Sequence, residues 1–179
     1  MVSLIAIFWM FVLLFAIIGA ARGWGRELLV TFSLILALFL IYVMETNIGV
    51  IRRTFVEGEP EMRFWFRTVT ITLLVFFGYQ TPNIRAIARP GFVRQRIQDT
   101  LLGVIIGAFN GYLVVGSIWF FLHQAGYPFP TYFGPAPTPA QADAINRMME
   151  WMPPDWLMVA PWIYVAVGIA FLFVIVVFI

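Results

Sequence analysis

The ionisable side chains that could do chemistry in this sequence are few and stand next to long apolar stretches. Arg22, Arg26 and Glu27 follow the first apolar stretch, and Asp99 precedes the uncharged run Leu101–Leu122. The planar guanidinium of arginine can bridge two carboxylates. We therefore hypothesise a structural charge cluster in which Asp99 and Glu27 pair with the two arginines. The alternative is four separately solvated charges.

Other reactive patterns are missing from the sequence. It has no cysteine, which excludes disulfides, iron–sulfur clusters and thiolate metal sites. His123 is the sole histidine, so a haem iron or a chlorophyll magnesium could not receive two histidines from this chain. We interpret it as an interfacial residue with an ordinary hydrogen bond. No phosphate-binding glycine loop and no nucleophile with a partnering base is recognisable. We predict a chain that is not an enzyme and holds no cofactor or metal.

Small and polar residues on the uncharged run indicate helix packing. Gly103, Gly107 and Gly111 stand four residues apart and share one helix face. In a membrane such a face lets another helix approach closely. That helix belongs either to this chain or to another subunit. Asn110 is predicted to hydrogen-bond to a neighbouring helix, and Gly23 to take part in the packing.

The composition places these residues in a membrane protein. Hydrophobic residues make up 62% and charged residues 11% of the 179 residues, with a mean hydropathy of +0.92. Soluble domains carry about 25% charged residues. The net charge of +2 is small and scattered, which argues against nucleic-acid binding. We predict one membrane domain over residues 1–179, with lipids and other membrane subunits as its partners.

The predicted fold class is all-α, a polytopic transmembrane helical bundle. Five apolar stretches are long enough to cross the bilayer: 2–21, 28–44, 64–79, 101–122 and 157–179. Arg22–Glu27, with glycines on both sides of Trp24, predicts a tight turn that makes the first two spans an antiparallel hairpin. Asp99 is a candidate N-cap of the fourth span. This span, with its glycine face, is expected to be the hub of the bundle.

The connections carry weaker signals. Residues 45–63 favour a short interfacial helix and a turn, and residues 80–98 form a basic connection. The segment 126–156 is rich in proline and aromatic residues, and Thr138 with Gln141 resembles a capping box before a surface helix at 139–151. Pro153 and Pro154 should end that helix, Asp155 could cap the next one, and Pro161 should kink the last span or mark its start.

The arginines beside the spans favour one orientation by a narrow margin. With the N-terminus outside, six arginines are cytoplasmic and five external. Because cytoplasmic loops carry the excess of basic residues, we predict an external N-terminus and a cytoplasmic C-terminus.

Two blocks of the sequence resemble a known family. The stretch from Gly19 to Glu27 resembles the Gly-x-x-Arg-Gly-x-x-Arg-Glu signature of the colicin V production protein family, and Asp99 with the three glycines resembles its second block. The resemblance covers roughly residues 1–125 and implies a small bacterial inner-membrane protein of poorly defined activity. It carries over to Arg22, Gly23, Arg26, Glu27, Asp99, Gly103, Gly107 and Gly111. The connection 126–156 and the additional span 157–179 depart from the pattern.

The predicted function follows from a sequence that offers surfaces for helix packing but no recognisable pattern of reactive residues. We expect a non-catalytic accessory or scaffold subunit of a larger bacterial membrane complex, with a respiratory or photosynthetic electron-transfer complex as its host by analogy. One alternative is a small transport or export factor, as the family name suggests. The other is a protein that forms a pocket for lipid, pigment or quinone, the last two being expected only as neighbours.

Overall fold

The computed structural model describes residues 4–80, 93–129 and 138–178, and these residues form helices without a strand. The helices are α1 (Leu4–Arg22), α2 (Trp24–Asn47), α3 (Gly49–Ile51), α4 (Pro60–Tyr79), α5 (Val93–Gln124), α6 (Pro139–Met149), α7 (Pro153–Leu157) and α8 (Trp162–Phe178), with a π-helical turn at Arg52–Val56. The basic connection after α4 and the core of the proline-aromatic connection lie outside the described residues.

The glycine face of α5 packs inside the chain, against α1. A methyl group added at Gly107 would lie 2.9 Å from the Cα of Gly19, and one added at Gly111 would lie 3.0 Å from the Cα of Val12. Side chains larger than hydrogen would therefore separate the two backbones. The glycines therefore face a helix of this chain, and the predicted tight turn between α1 and α2 is present at Gly23. Helices α1 and α2 run in opposite directions and are joined by Gly23 alone, but α1 packs chiefly along α5 and only slightly against α2.

The core of the bundle lies between α2, α4 and α5. Val30, Leu34 and Leu38 of α2 are fully buried, as are Ile71 of α4 and Leu113 of α5. Helix α8 covers another side of α2, where Phe171 meets Phe32 and Tyr164 meets Tyr42 edge to face. Helices α1, α4 and α8 begin at the end of the bundle where α2 and α5 finish.

Two predicted caps differ from the structure. Helix α5 begins at Val93, so Asp99 lies inside it and is not its N-cap. The short helix α7 begins at the two prolines, with Met152 in the N-cap position. Asp155 therefore lies in the first turn of this helix and is not its N-cap. The capping prediction for α6 is confirmed: the Thr138 side chain accepts a hydrogen bond from the backbone N–H of Gln141.

Length and apolarity support a membrane bundle. Three helices, α1, α2 and the part of α5 from Ile97 to Gln124, are long and apolar enough to cross a bilayer, and Trp162–Ile175 of α8 is a shorter apolar helix. The all-α membrane fold is therefore confirmed, with the span count approximate. Helix α8 begins directly after Pro161, which marks the start of the last apolar helix and does not kink it.

Candidate functional site: a buried polar cluster beside a lateral groove

The carboxylate of Glu27 is fully buried between the helices of the bundle. Its Oε1 accepts a hydrogen bond from Nη1 of Arg22 at 3.2 Å, and its Oε2 accepts one from Nδ2 of Asn110 at 2.9 Å and one from the Tyr79 hydroxyl at 3.4 Å. An ionised carboxylate only accepts hydrogen bonds, and all three partners donate. The site therefore suits a charged Glu27 paired with Arg22.

Two further hydrogen bonds and a cation–π contact complete this group of residues. We call it the Glu27 cluster: Arg22, Glu27, Thr31, Tyr79 and Asn110. Nδ2 of Asn110 also donates to the backbone oxygen of Glu27 at 2.9 Å, and Thr31 donates its hydroxyl to Oδ1 of Asn110 at 2.6 Å. The Arg22 guanidinium lies 4.2 Å from the centre of the Tyr79 ring. Because its members come from α1, α2, α4 and α5, the cluster ties four helices together.

The depth of the Glu27 cluster corrects a sequence-based expectation. In the sequence, Glu27 stands in the predicted turn between the first two apolar stretches, outside both predicted spans. The structure sets Glu27 against Asn110, which lies nine residues beyond Leu101, roughly 13 Å along the uncharged part of α5. Ionisable residues at such depth are costly unless they are paired, and they mark functional candidates. The sequence motif from Gly19 to Glu27 identifies Glu27 as a candidate residue. Its depth in the bundle becomes evident only from the packing of α2 against α5.

The predicted charge cluster forms in part. Arg22 pairs with Glu27, but Asp99 accepts a hydrogen bond at 3.1 Å from the backbone N–H of Trp24, the first residue of α2. Asp99 thus caps α2 from a distant helix. Among the described residues Arg26 makes no ion pair. Gly23 has φ 84°, and a methyl group there would lie 2.6 Å from Oδ2 of Asp99, so glycine is required for both conformation and space.

A second buried ion pair, which was not predicted from the sequence, lies at the opposite end of α2, α4 and α5. Nε and Nη2 of Arg67 each donate to a carboxylate oxygen of Glu45 at 2.7 Å, and Nη1 donates to Oε1 of Gln124 at 2.6 Å. The guanidinium also lies 4.9 Å from the centre of the Phe121 ring. This Arg67 cluster (Glu45, Arg67, Phe121 and Gln124) joins α2, α4 and α5. The sequence signal was an arginine near the start of a span with a carboxylate at the end of another.

The remaining predicted residue, His123, hydrogen-bonds through Nδ1 to the Tyr127 hydroxyl at 3.1 Å. This is the ordinary local partner that the sequence analysis favoured. Within the described residues no group of three histidine, cysteine or acidic side chains is placed to hold a metal ion.

An apolar groove runs between α1 and α4 on the surface of α5 and opens to the outside of the bundle. It has a volume of about 530 Å³, and its lining is apolar except near Thr72 and Tyr79. It is lined by Leu4, Ile7, Phe8, Phe11, Phe15, Thr72, Val75, Phe76, Tyr79, Val114, Val115, Ile118, Trp119 and Leu122. One end of this lateral groove thus reaches Tyr79, a member of the Glu27 cluster.

Comparison with known proteins identifies the family. The sequence model described as colicin V production protein matches residues 5–135, which is more than two thirds of the chain and includes all of the Glu27 cluster, the Arg67 cluster and the glycine face. No curated protein and no solved structure matches the chain. Family and apolar helices together are consistent with a bacterial inner-membrane protein. The chain belongs to the colicin V production protein family.

Proposed function

We propose that this protein is a non-catalytic membrane factor of the export and production type, which binds the apolar segment of a partner membrane polypeptide in its lateral groove. The groove is the observation that carries the proposal. It is open to the outside of the bundle, almost entirely apolar and bounded by three helices that the rest of the fold holds in place.

The dimensions of the groove suit a helical partner. Its lining on α1 extends from Leu4 to Phe15, roughly 16 Å, which equals about three helical turns. Lipid tails are as apolar as leucine, so helices associate in membranes through close packing instead of through the hydrophobic effect. A groove whose walls lack packing partners is therefore a favourable place for the side chains of another helix.

The two polar clusters support a framework role over catalysis. In the Glu27 cluster every carboxylate contact comes from another member of the cluster, and in the Arg67 cluster the guanidinium donates to Glu45 and Gln124. Groups satisfied in this way rigidify a core. Such a core keeps α1, α4 and α5 at fixed separations, and the groove depends on these separations.

The family assignment favours export over the electron-transfer host that the sequence analysis preferred. The family's description names colicin V production, and no observation on the described residues points to a redox complex. We keep the predicted role of an accessory protein that acts by helix packing, but we no longer propose an electron-transfer complex as its host.

A second candidate function has an observation of its own. Because the lining of the groove is apolar but includes Thr72 and Tyr79, an amphiphile with an apolar tail and a polar head, such as a quinone or a lipid, would also fit.

Site-specific photocrosslinking in intact cells tests the proposal. A photoreactive amino acid is placed at Phe11, which lines the groove, or at Ile17, which lies on the same helix outside it and is 68% exposed. We expect a polypeptide adduct at Phe11 alone, and we expect it to disappear when Val115→Phe fills the groove but not when Val165→Phe enlarges α8. Adducts only with lipid or quinone at Phe11 support the second candidate. Equal polypeptide adducts at both positions contradict the proposal.

A further inference from the structure

A second cavity lies away from the lateral groove, where α6 and α7 cross the outside of α5. Its volume is about 540 Å³, and it is lined by three aromatic residues and one carboxylate: Tyr112, Glu150, Trp151 and Trp156. It shares no lining residue with the groove. We call these four residues the aromatic box.

One wall of the aromatic box is rigidly held. The Tyr112 hydroxyl donates to the backbone oxygen of Trp151 and accepts a hydrogen bond at 3.3 Å from Nε1 of Trp156. The Tyr112 ring also stacks on Phe109, with ring centres 6.1 Å apart, and meets Phe8 edge on. These contacts fix the position of the Tyr112 ring, which lines the cavity.

The two tryptophan side chains of the aromatic box are exposed. Trp151 is 76% exposed and Trp156 is 44% exposed, although tryptophan normally buries most of its surface. Neither cation–π contact in the described part of the chain involves a ring of the aromatic box. Glu150 is exposed, and among the described residues it forms no ion pair.

Three aromatic side chains and one carboxylate around a single cavity favour a particular ligand chemistry. A quaternary ammonium has no N–H to donate and is held by the quadrupoles of aromatic rings. The carboxylate adds attraction for the positive charge. A metal ion would instead need several oxygen or nitrogen ligands, which this cavity does not offer.

An adjoining cavity supplies the opposite charge. Its volume is about 450 Å³, it shares Tyr112 and Trp151 with the aromatic box, and its lining includes Arg147 together with apolar side chains such as Trp9 and Met148. Arg147 lies three residues before Glu150 at the end of α6, so the two side chains point to neighbouring positions. Arg147 also makes no ion pair within the described residues, and the arginine fork matches phosphate.

We propose that the aromatic box and Arg147 form a phosphocholine-binding site, with the quaternary ammonium between the aromatic rings beside Glu150 and the phosphate at Arg147. The phosphocholine group comes either from phosphatidylcholine in the membrane or from a soluble molecule. This site is independent of the proposed partner segment in the lateral groove.

Binding to the purified full-length chain tests the proposal. The chain in nonionic detergent is titrated by calorimetry with dihexanoyl phosphatidylcholine, dihexanoyl phosphatidylglycerol, dihexanoyl phosphatidylethanolamine and free phosphocholine. We expect the phosphatidylcholine to bind at least about tenfold more tightly than the two other lipids, which lack the quaternary ammonium. Equal binding of the three lipids overturns the proposal. Tight binding of free phosphocholine identifies a soluble source, and binding of the lipid alone identifies a membrane source.

Surface variants separate the site from general lipid contact. Trp151→Ala and Glu150→Gln change exposed side chains, and we expect each to weaken phosphatidylcholine binding about tenfold. Arg147→Ala should weaken phosphatidylcholine and free phosphocholine alike. The matched control is Trp162→Ala, another exposed tryptophan that lies outside the box, which should change affinity less than about twofold. An equal loss in Trp162→Ala, or no loss in Trp151→Ala and Glu150→Gln, contradicts the proposal, and an unchanged unfolding midpoint shows that each variant is folded.

Discussion

Removal of the Glu27 carboxylate alone should destabilise the bundle strongly. In Glu27→Met the Arg22 guanidinium keeps its charge but loses its counter-ion, and Asn110 and Tyr79 lose an acceptor. Deleting one member of a buried ion pair costs about 3–5 kcal/mol. The Arg22 side chain is 19% exposed and can regain some water, so we expect a value near the lower limit, about 3 kcal/mol.

The double variant separates pairing from packing. In Arg22→Met with Glu27→Met no uncompensated charge remains, and two apolar side chains fill the site. Replacement of both members of a buried pair by apolar residues is often close to neutral. The double variant should therefore recover most of the stability that Glu27→Met loses.

The assay is reversible unfolding in mixed micelles with increasing dodecyl sulfate, followed by tryptophan fluorescence. Arg52→Ala provides the control, because the Arg52–Glu57 pair has side chains that are 59% and 54% exposed and should contribute less than about 1 kcal/mol. If the double variant is as unstable as the sum of its single variants, the pairing argument is refuted. A loss in Glu27→Met no larger than in Arg52→Ala would refute the buried-charge argument as well.

Three further outcomes can be measured in the same assay. Gly107→Val should destabilise the chain by at least about 1–3 kcal/mol because α1 must move away from α5, whereas Gly168→Val, with open space around it, should be close to neutral; equal effects would contradict the close packing. Arg67→Lys should cost about 1–3 kcal/mol because a single ammonium cannot reproduce the two-oxygen contact with Glu45, and wild-type stability would count against that contact. Asp99→Asn should retain stability and Asp99→Ala should lose about 1 kcal/mol, since asparagine can still accept from the N–H of Trp24; identical losses would argue for a charge effect instead of a cap.

The two buried clusters lie at opposite ends of the interface between α2, α4 and α5. The Glu27 cluster joins α2, α4 and α5 near one end, and the Arg67 cluster joins the same three helices near the other. Buried hydrogen-bonded pairs have strict geometric requirements, so together they restrict sliding of one helix along another. Between them, α2 and α4 present apolar side chains such as Leu34 and Ile71, which can pack in many registers.

The sequence by itself determined the helical class, the approximate positions of the apolar helices, the Thr138 cap and the family. Each of these depends on local order along the chain: length without charge, spacing on a helix face, or a short motif. The glycine spacing of α5 also predicted a close contact with another helix. It did not identify α1 as the partner, because every apolar helix offers a similar surface.

Only the tertiary structure decided the partners and the depths. It showed that Asp99 of α5 caps α2 and not its own helix, that Glu27 lies against Asn110 inside the bundle and that Arg67 pairs with Glu45. These contacts connect residues that are 22 to 83 positions apart. They depend on the angles at which helices cross, and those angles are set by the packing of all the side chains together and not by any single stretch of sequence.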